Sequence, residues 1–292
     1  MNRVQICMVV SSVVFLIVWL LMVNLQKMIH YNECKIILKN TNYINLSRDT
    51  MFDNVLSVMS YNLNNLPTTQ IFANLDQRLE KVKGFLSKML PKVDVFVFQE
   101  VFTEKYINDL SNYFEKKNWS VAHPDPKSNY LTFINSGLFI ASRYQIENIK
   151  GINFRDCDVF DCLSKKAAIR FSIQEKGYKY NLIVTHLQDA TFDLTGTVRK
   201  NQLKQIKNDL VEDSTDAILG DLNITPGDSV YIYGESLFGS VLFPNKYSFP
   251  SMKKTLDGTF GNKVSSVEIV DPEYDVYVSD HLPILVYISG MK

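Results

Sequence analysis

The hydrophobic pattern divides the chain into three parts. Residues 4 to 25 are almost wholly apolar, broken only by Gln5, Ser11, Ser12 and Asn24. Roughly 20 such residues cross a bilayer. The run has no polar face, unlike a helix buried in a soluble core, and no small-residue cleavage site follows it. It predicts an uncleaved signal anchor at residues 1–26, forming one N-terminal transmembrane helix. Residues 27–53 are mixed and polar with no clear periodicity, and read as a stalk or linker. From residue 54 to 292 the pattern becomes regular.

Within that body, Val55 to Ser60 predicts a strand ending at Tyr61-Asn62. Asp76 caps a helix whose apolar face is Leu79, Val82, Phe85, Leu86, Met89 and Leu90, stopped by Pro91. Val95 to Phe98 is a short apolar strand ending at Gln99-Glu100, and Thr103 begins a second helix. Gly137 to Ala141, Ala167 to Ile173 and Tyr180 to Thr185 read as strands. Val198 to Val211 reads as a helix with Leu203, Ile206 and Leu210 inward. Ala217-Ile218-Leu219 is a buried strand that runs into Gly220-Asp221-Leu222-Asn223. Val267 to Val270 and Pro283 to Ile288 close the chain as strands. Helices interleave with strands, and in places strand follows strand. That order predicts an α/β sandwich with a mixed sheet.

Charge narrows the function. Lysines and arginines balance aspartates and glutamates at 31 each, so no global basic field draws nucleic acid. Cys7 lies in the apolar run, and Cys157 and Cys162, five positions apart in a polar loop, could pair or stay free. No His/Cys cluster has zinc spacing. Arg3 and the amino terminus favour a cytosolic N-terminus, while Lys27 and Lys35 oppose it. The triplets at Asn45 and Asn118 match the pattern of glycosylation acceptors, one that also arises often by chance. The expectation is a single-pass membrane protein whose body is lumenal or extracellular, with the bilayer as partner through residues 4–25.

Five strand ends carry hydrogen-bonding or charged groups: Asn62, Glu100, His186, Asp221 with Asn223, and Asp280 with His281. Each alone has an ordinary explanation as a turn, a solvated strand end or a structural histidine. Their shared placement points to one rim of the sheet, where α/β folds put their sites. A carboxylate among amides, with no cysteine cage, suits a hard cation such as Mg²⁺. Asp280-His281 offers a base with a carboxylate near it. A second histidine and an asparagine can hold phosphate oxygens. Together they suit metal-assisted attack of water on a phosphoester.

The residues Ser60-Tyr61-Asn62, Phe98-Gln99-Glu100-Val101, Thr185-His186, Gly220-Asp221-Leu222-Asn223 and Ser279-Asp280-His281 resemble, in order, the motifs of the endonuclease/exonuclease/phosphatase superfamily. They span residues 55 to 288. The resemblance implies a deoxyribonuclease I-like fold: a four-layer α/β sandwich of two mixed β-sheets flanked by helices. Within the superfamily the chain is most similar to the secreted bacterial neutral sphingomyelinases. Three stretches carry this: Gln99 to Phe102; Asp161 to Ala167; and Thr185 to Ala190 with Arg199-Lys200-Asn201-Gln202-Leu203.

The resemblance implies roles. Glu100 binds Mg²⁺ with Asn62 beside it, a second divalent cation being left open. His281 is the general base, held by Asp280 or another nearby carboxylate, and Asp221 orients the water. Asn223 and His186 stabilise the developing phosphorane charge. Lys166 meets the substrate phosphate, with Asp161 as its partner. Asp257 aligns loosely with a Leu-Asp-Tyr segment and is given only a supporting part.

The chain departs from the secreted enzymes between Val270 and Val278. There is no room there for their long aromatic hairpin, and only Tyr274 and Tyr277 are offered. The leading expectation is a membrane-anchored phosphodiesterase acting on sphingomyelin or a related phospholipid. A nuclease or other phosphodiesterase of the same fold is the first alternative. A catalytically inactive, membrane-anchored binding protein is the second.

Overall fold

A computed structural model describes residues 33–41, 54–65, 75–126, 135–158, 161–162, 164–272 and 278–290, with isolated helical positions at Val14, Val18 and Leu21. The strands are β1 (Glu33–Cys34), β2 (Ile36–Lys39), β3 (Val55–Asn65), β4 (Val95–Val101), β5 (Ser120–Pro124), β6 (Phe139–Ser142), β7 (Glu147–Asn153), β8 (Ala167–Glu175), β9 (Tyr178–His186), β10 (Ala217–Asp221), β11 (Val241–Leu242), β12 (Asp257–Phe260), β13 (Val264–Ile269) and β14 (Ile284–Ser289). The helices of the body are α1 (Leu75–Met89), α2 (Glu104–Glu115), α3 (Thr197–Asp209) and α4 (Ser229–Phe238).

Two seven-stranded sheets form, ordered β1-β7-β8-β9-β10-β12-β11 and β13-β14-β3-β4-β6-β5-β2. Both are mixed. The β9–β10 and β3–β4 pairs are parallel, and the other pairs are antiparallel.

Side-chain alternation explains the layers. In β4, Val95 and Val97 face the other sheet, while Phe96 and Phe98 face outward onto α1 and α2. In β10, Ala217 and Leu219 face between the sheets, while Ile218 packs outward with Leu203 and Ile206 of α3. The order is helix, sheet, sheet, helix, as the sequence implied. Helix starts are capped locally: Thr103 accepts from the Tyr106 amide, and Asp228 from those of Val230 and Tyr231. Each such cap contributes about 1 kcal/mol.

The stretch read as linker differs. Within residues 27–53, β1 and β2 add edge strands, β1 beside β7 and β2 beside β5. Ile36 and Leu38 lie half-buried against the inter-sheet core. Six residues with one solvated face left too short an apolar signal to read. Apart from Val14, Val18 and Leu21, the expected anchor at residues 4–25 lies outside the described residues, as do the tyrosines 274 and 277. Among the described residues no helix is long and apolar enough to cross a membrane.

Candidate active site

Strand register assembles the site. Asp221, the last residue of β10, is in register with His186 of β9 on one side and with Asp257 of β12 on the other. Gly220 permits this approach. Its φ is +146°, and a Cβ there would sit 1.9 Å from the Thr185 carbonyl oxygen. Extending the alternation of Leu56 and Val58 in β3, and of Ala217 and Leu219 in β10, brings Asn62 and Asp221 face to face between the sheets. The Asn62 Nδ2 donates to Asp221 Oδ2 at 3.0 Å and to Glu100 Oε1 at 2.9 Å. Its Oδ1 accepts from the Asn64 amide. Asn62 therefore turns its nitrogen, not its oxygen, to the carboxylates, and holds them together.

Glu100 has a left-handed backbone, φ +60°. For a non-glycine residue this costs on the order of 1 kcal/mol, and such strain gathers at functional sites. Its Oε2 is buried with no hydrogen-bond partner. Burial pushes its pKa up to about 7, against the lowering effect of Asn62. Asp221 is also raised, first by burial and then by the Asp257 charge.

His281 Nδ1 donates to Asp257 Oδ2 at 2.8 Å, and its Nε2 lies 3.7 Å from Asp221 Oδ2. The Phe249 ring packs against the imidazole, with centroids 4.8 Å apart. Burial lowers the His281 pKa, but Asp257 and then Asp221 outweigh it and raise it to about 10. Of the two alternatives, Asp280 or another nearby carboxylate, the second holds: Asp280 is exposed and accepts from Ser279 Oγ. Ser279 ties that turn to the Asn62 carbonyl at 2.7 Å. Consecutive side chains diverge in the turn, so the carboxylate for His281 comes from the facing strand. Asp257 has that part rather than a minor one.

Lys166 is paired with Asp161, as expected, and has further partners inside the protein. Its ammonium contacts Leu187 O at 2.6 Å, His186 Nε2 at 3.1 Å and Asp161 Oδ2 at 3.1 Å. These contacts hold the ammonium in the wall of the cleft. Because an ammonium only donates, His186 Nε2 accepts and the ring proton sits on Nδ1, which is buried without a partner. Burial first, and the Lys166 charge second, hold the His186 pKa well below its ordinary value. His186 is neutral here. Asn223, φ +50°, uses its amide nitrogen on Leu187 O and its backbone N–H on Asp221 Oδ1. Cys157 and Cys162 are disulfide-bonded beside Asp161.

Glu100, Lys166, His186, Asp221, Asn223 and His281 line a cleft of about 500 Å³. Asp221, Asp257 and His281 offer ligand atoms within 4.8 Å of one another and could hold a metal ion. That trio already has an internal hydrogen bond, which suits it to carry a proton. Glu100 has an orphaned oxygen and an unfavourably buried charge, and a cation answers both. Glu100 with Asp221 fits a hard, oxygen-binding cation.

Sequence reading undervalued Asp257, because β12 is four residues long and its Asp257-Gly258 start reads as a turn. Phe249 gave no signal, lying in a loop far along the chain from His281. Arg199 was noted only as part of a helix start. It is buried, and it joins Asp193 to the carbonyl of Asn223.

Two mixed sheets packed face to face, flanked by helices and gathering polar groups at one rim, define a deoxyribonuclease I-like α/β sandwich. No protein-family model matches the sequence, and no curated protein matches it. Solved structures do. A variant of beta toxin from Staphylococcus aureus with bound magnesium ions is 22% identical at a TM-score of 0.63, covering 81% of this chain and 100% of the toxin. Sphingomyelinase C from Streptomyces griseocarneus is 17% identical at 0.60, covering 82% and 99%. D. rerio TDP2 complexed with a single-strand DNA product is 16% identical at 0.59, covering 81% and 100%. An endonuclease/exonuclease/phosphatase family protein from Leptotrichia buccalis is also among the neighbours, and at these identities the likeness is one of fold.

Proposed function

We propose that the chain is a metal-dependent phosphodiesterase whose substrate is sphingomyelin or a related phospholipid, cleaved to ceramide and phosphocholine. The observation that carries the phosphodiesterase reading is the bridge of Asn62 to Glu100 and Asp221, with the His281–Asp257 pair beside it. Glu100 and Asp221 would hold Mg²⁺. An ion there would neutralise the two carboxylates, supply Lewis-acid polarisation of a phosphoryl oxygen and offset the Asp221 charge, the second of those that raise the His281 pKa. Asp257 fixes the imidazole with Nε2 as the free nitrogen. His281 takes the proton of the attacking water, which Asp221 orients. The remaining amide hydrogen of Asn223 is a donor for the developing phosphorane oxygens, and His186, with Nε2 3.6 Å from Asp221, lines the same wall of the cleft. Lys166 keeps His186 neutral and holds Asp161.

The lipid substrate is supported by the Asp161–Lys166 pair and by the Arg199-to-Leu203 helix start, both built into the site. In this reading residues 4–25 tether the chain to the bilayer, with the body lumenal or extracellular and glycosylation at Asn45 and Asn118 as its mark. The test is phosphocholine release by the full chain from detergent-dispersed sphingomyelin, with Mg²⁺ and with chelator. Cleavage of DNA or a nucleotide diester without phosphocholine release overturns the lipid reading. It would favour a nuclease, the reading suggested by the neighbour that holds a DNA product.

A further inference from the structure

We propose that the mouth of the cleft docks onto a phospholipid bilayer carrying anionic headgroups. Two loops frame it, residues 189–196 and 246–254, and both hold large apolar side chains in solvent. Leu194 is 89% exposed in the first loop, and Met252 59% and Tyr247 52% in the second. Phe192 and Met252 line the cleft that also contains Glu100, Asp221 and His281. Phe192 and Met252 therefore sit at the entrance to the chemistry, and Leu194 and Tyr247 stand in solvent on the same two loops.

This exposure is held in place. Asp193, between Phe192 and Leu194, is buried. Its carboxylate accepts from the amides of Val198 and Arg199 and from the Arg199 guanidinium. Arg199 also donates to the carbonyls of Asp193 and Asn223. A buried ion pair thus fixes the loop to the turn that carries Asn223, and leaves the flanking side chains outside. The second loop repeats the device with Ser248. Its buried Oγ accepts from the amides of Leu256 and Asp257, and its carbonyl from that of Leu282. Tyr247 stands in solvent on one side of it, and Phe249 packs on His281 on the other. Apolar groups held out so firmly gain nothing inside the fold, and clustered exposure of this kind marks a contact surface.

Charge selects the occupant. Lys246, Lys253 and Lys254 are exposed on the loop that carries Tyr247 and Met252. Lysines interleaved with aromatic and aliphatic tips suit a headgroup region, where stems lie along apolar surface and ammoniums reach phosphates. Protein interfaces are depleted in lysine. The docking rests on the phospholipid substrate proposed above, since it brings the diester to the mouth. An N-terminal tether alone would not turn the cleft toward the bilayer.

The test uses the full chain incorporated into vesicles of phosphatidylcholine and phosphatidylserine, in a Trp19→Phe background. Leu194→Trp and Tyr247→Trp report on the mouth. Gln174→Trp, near the β8–β9 turn at the far end of β9 from His186, is the reference. Brominated lipids should quench the first two several-fold more than the reference. Omitting phosphatidylserine, or combining Lys246→Glu, Lys253→Glu and Lys254→Glu, should remove the difference. Equal quenching at all three positions overturns the proposal. So does a response at the mouth that follows protein concentration in detergent and ignores lipid, which would mean self-association. Hydrolysis of a water-soluble phosphodiester by wild type and Leu194→Ser, measured alongside, should be equal. Hydrolysis without docking overturns the docking alone, whereas docking without hydrolysis supports the surface and overturns the phosphodiesterase reading.

Discussion

Asn62 on one sheet donates to Asp221 on the other at 3.0 Å, and the same nitrogen holds Glu100 at 2.9 Å. One neutral amide thereby keeps two buried carboxylates close where their charges would otherwise push them apart. Sheet packing and site geometry are the same contact at this point.

Removing that amide should therefore cost stability before it costs chemistry. Asn62→Ala leaves two buried acceptors short of a donor, a loss of about 1–3 kcal/mol. Asn62→Asp adds a third negative charge and should be worse. Urea unfolding measures both, and a loss for Asn62→Ala below about 0.5 kcal/mol would show that the bridge carries little weight.

Glu100 sets a competition between proton and metal. Its carboxyl is raised to about 7, chiefly by burial. As pH falls through that value the proton occupies the group, so the Mg²⁺ needed for half-maximal stabilisation should rise. Thermal shifts with Mg²⁺ should be large at pH 8 and small at pH 5.5. Glu100→Gln should abolish both the shift and the activity. Near-normal activity of that variant at low Mg²⁺ would remove Glu100 from the metal site.

His281 and Asp257 should behave as a unit. His281→Ala should lower the rate by roughly 10²–10⁴ as a lost general base. Asp257→Asn removes the charge that does most to raise the imidazole pKa. The rising limb of its pH–rate profile should then move to lower pH, while the plateau drops because the ring is no longer oriented. Asp280→Asn, which removes a lesser of the charges that raise that pKa, should move the limb in the same direction but by less. The reverse pattern, with the limb following Asp280, would restore the adjacent residue as the partner.

The sequence made the scaffold legible where burial imposed a period. Val95 to Phe98 alternates between two cores, and α2 begins at its Thr103 cap. Asn62, Glu100, His186, Asp221, Asn223 and His281 were legible because each follows an apolar run, and the structure brings them to one cleft or its wall. What stayed hidden depends on pairing between distant segments. β1 and β2 are too short to show a period, so a truncation meant to remove a linker must keep residues 33–41. The hydrogen bond between Asp257 and His281 spans 24 positions, and nothing local distinguishes Asp257 from a turn residue. The commitment of Lys166 to Asp161, His186 and Leu187 follows from its burial, which its polar neighbours concealed.

That commitment makes the last prediction. Lys166 is the second cause, after burial, of the low His186 pKa. Lys166→Met should raise that pKa toward the ordinary 6.5, with burial still holding it below. Histidine NMR across the four histidines reads the change directly. The two site histidines should also respond to pH in opposite senses. His186 is depressed in the fold, so its stabilising contribution is present above pH 6.5 and is lost on acidification. His281 is raised to about 10, so its contribution is present below 6.5 and is lost as pH rises through about 10. In Lys166→Met the acid-side loss should shrink and the alkaline-side loss should remain. Unfolding free energies across pH for wild type and variant separate the two. If the His186 resonance titrates identically in both proteins, Lys166 does not govern that imidazole, and its place in the site is only to hold Asp161.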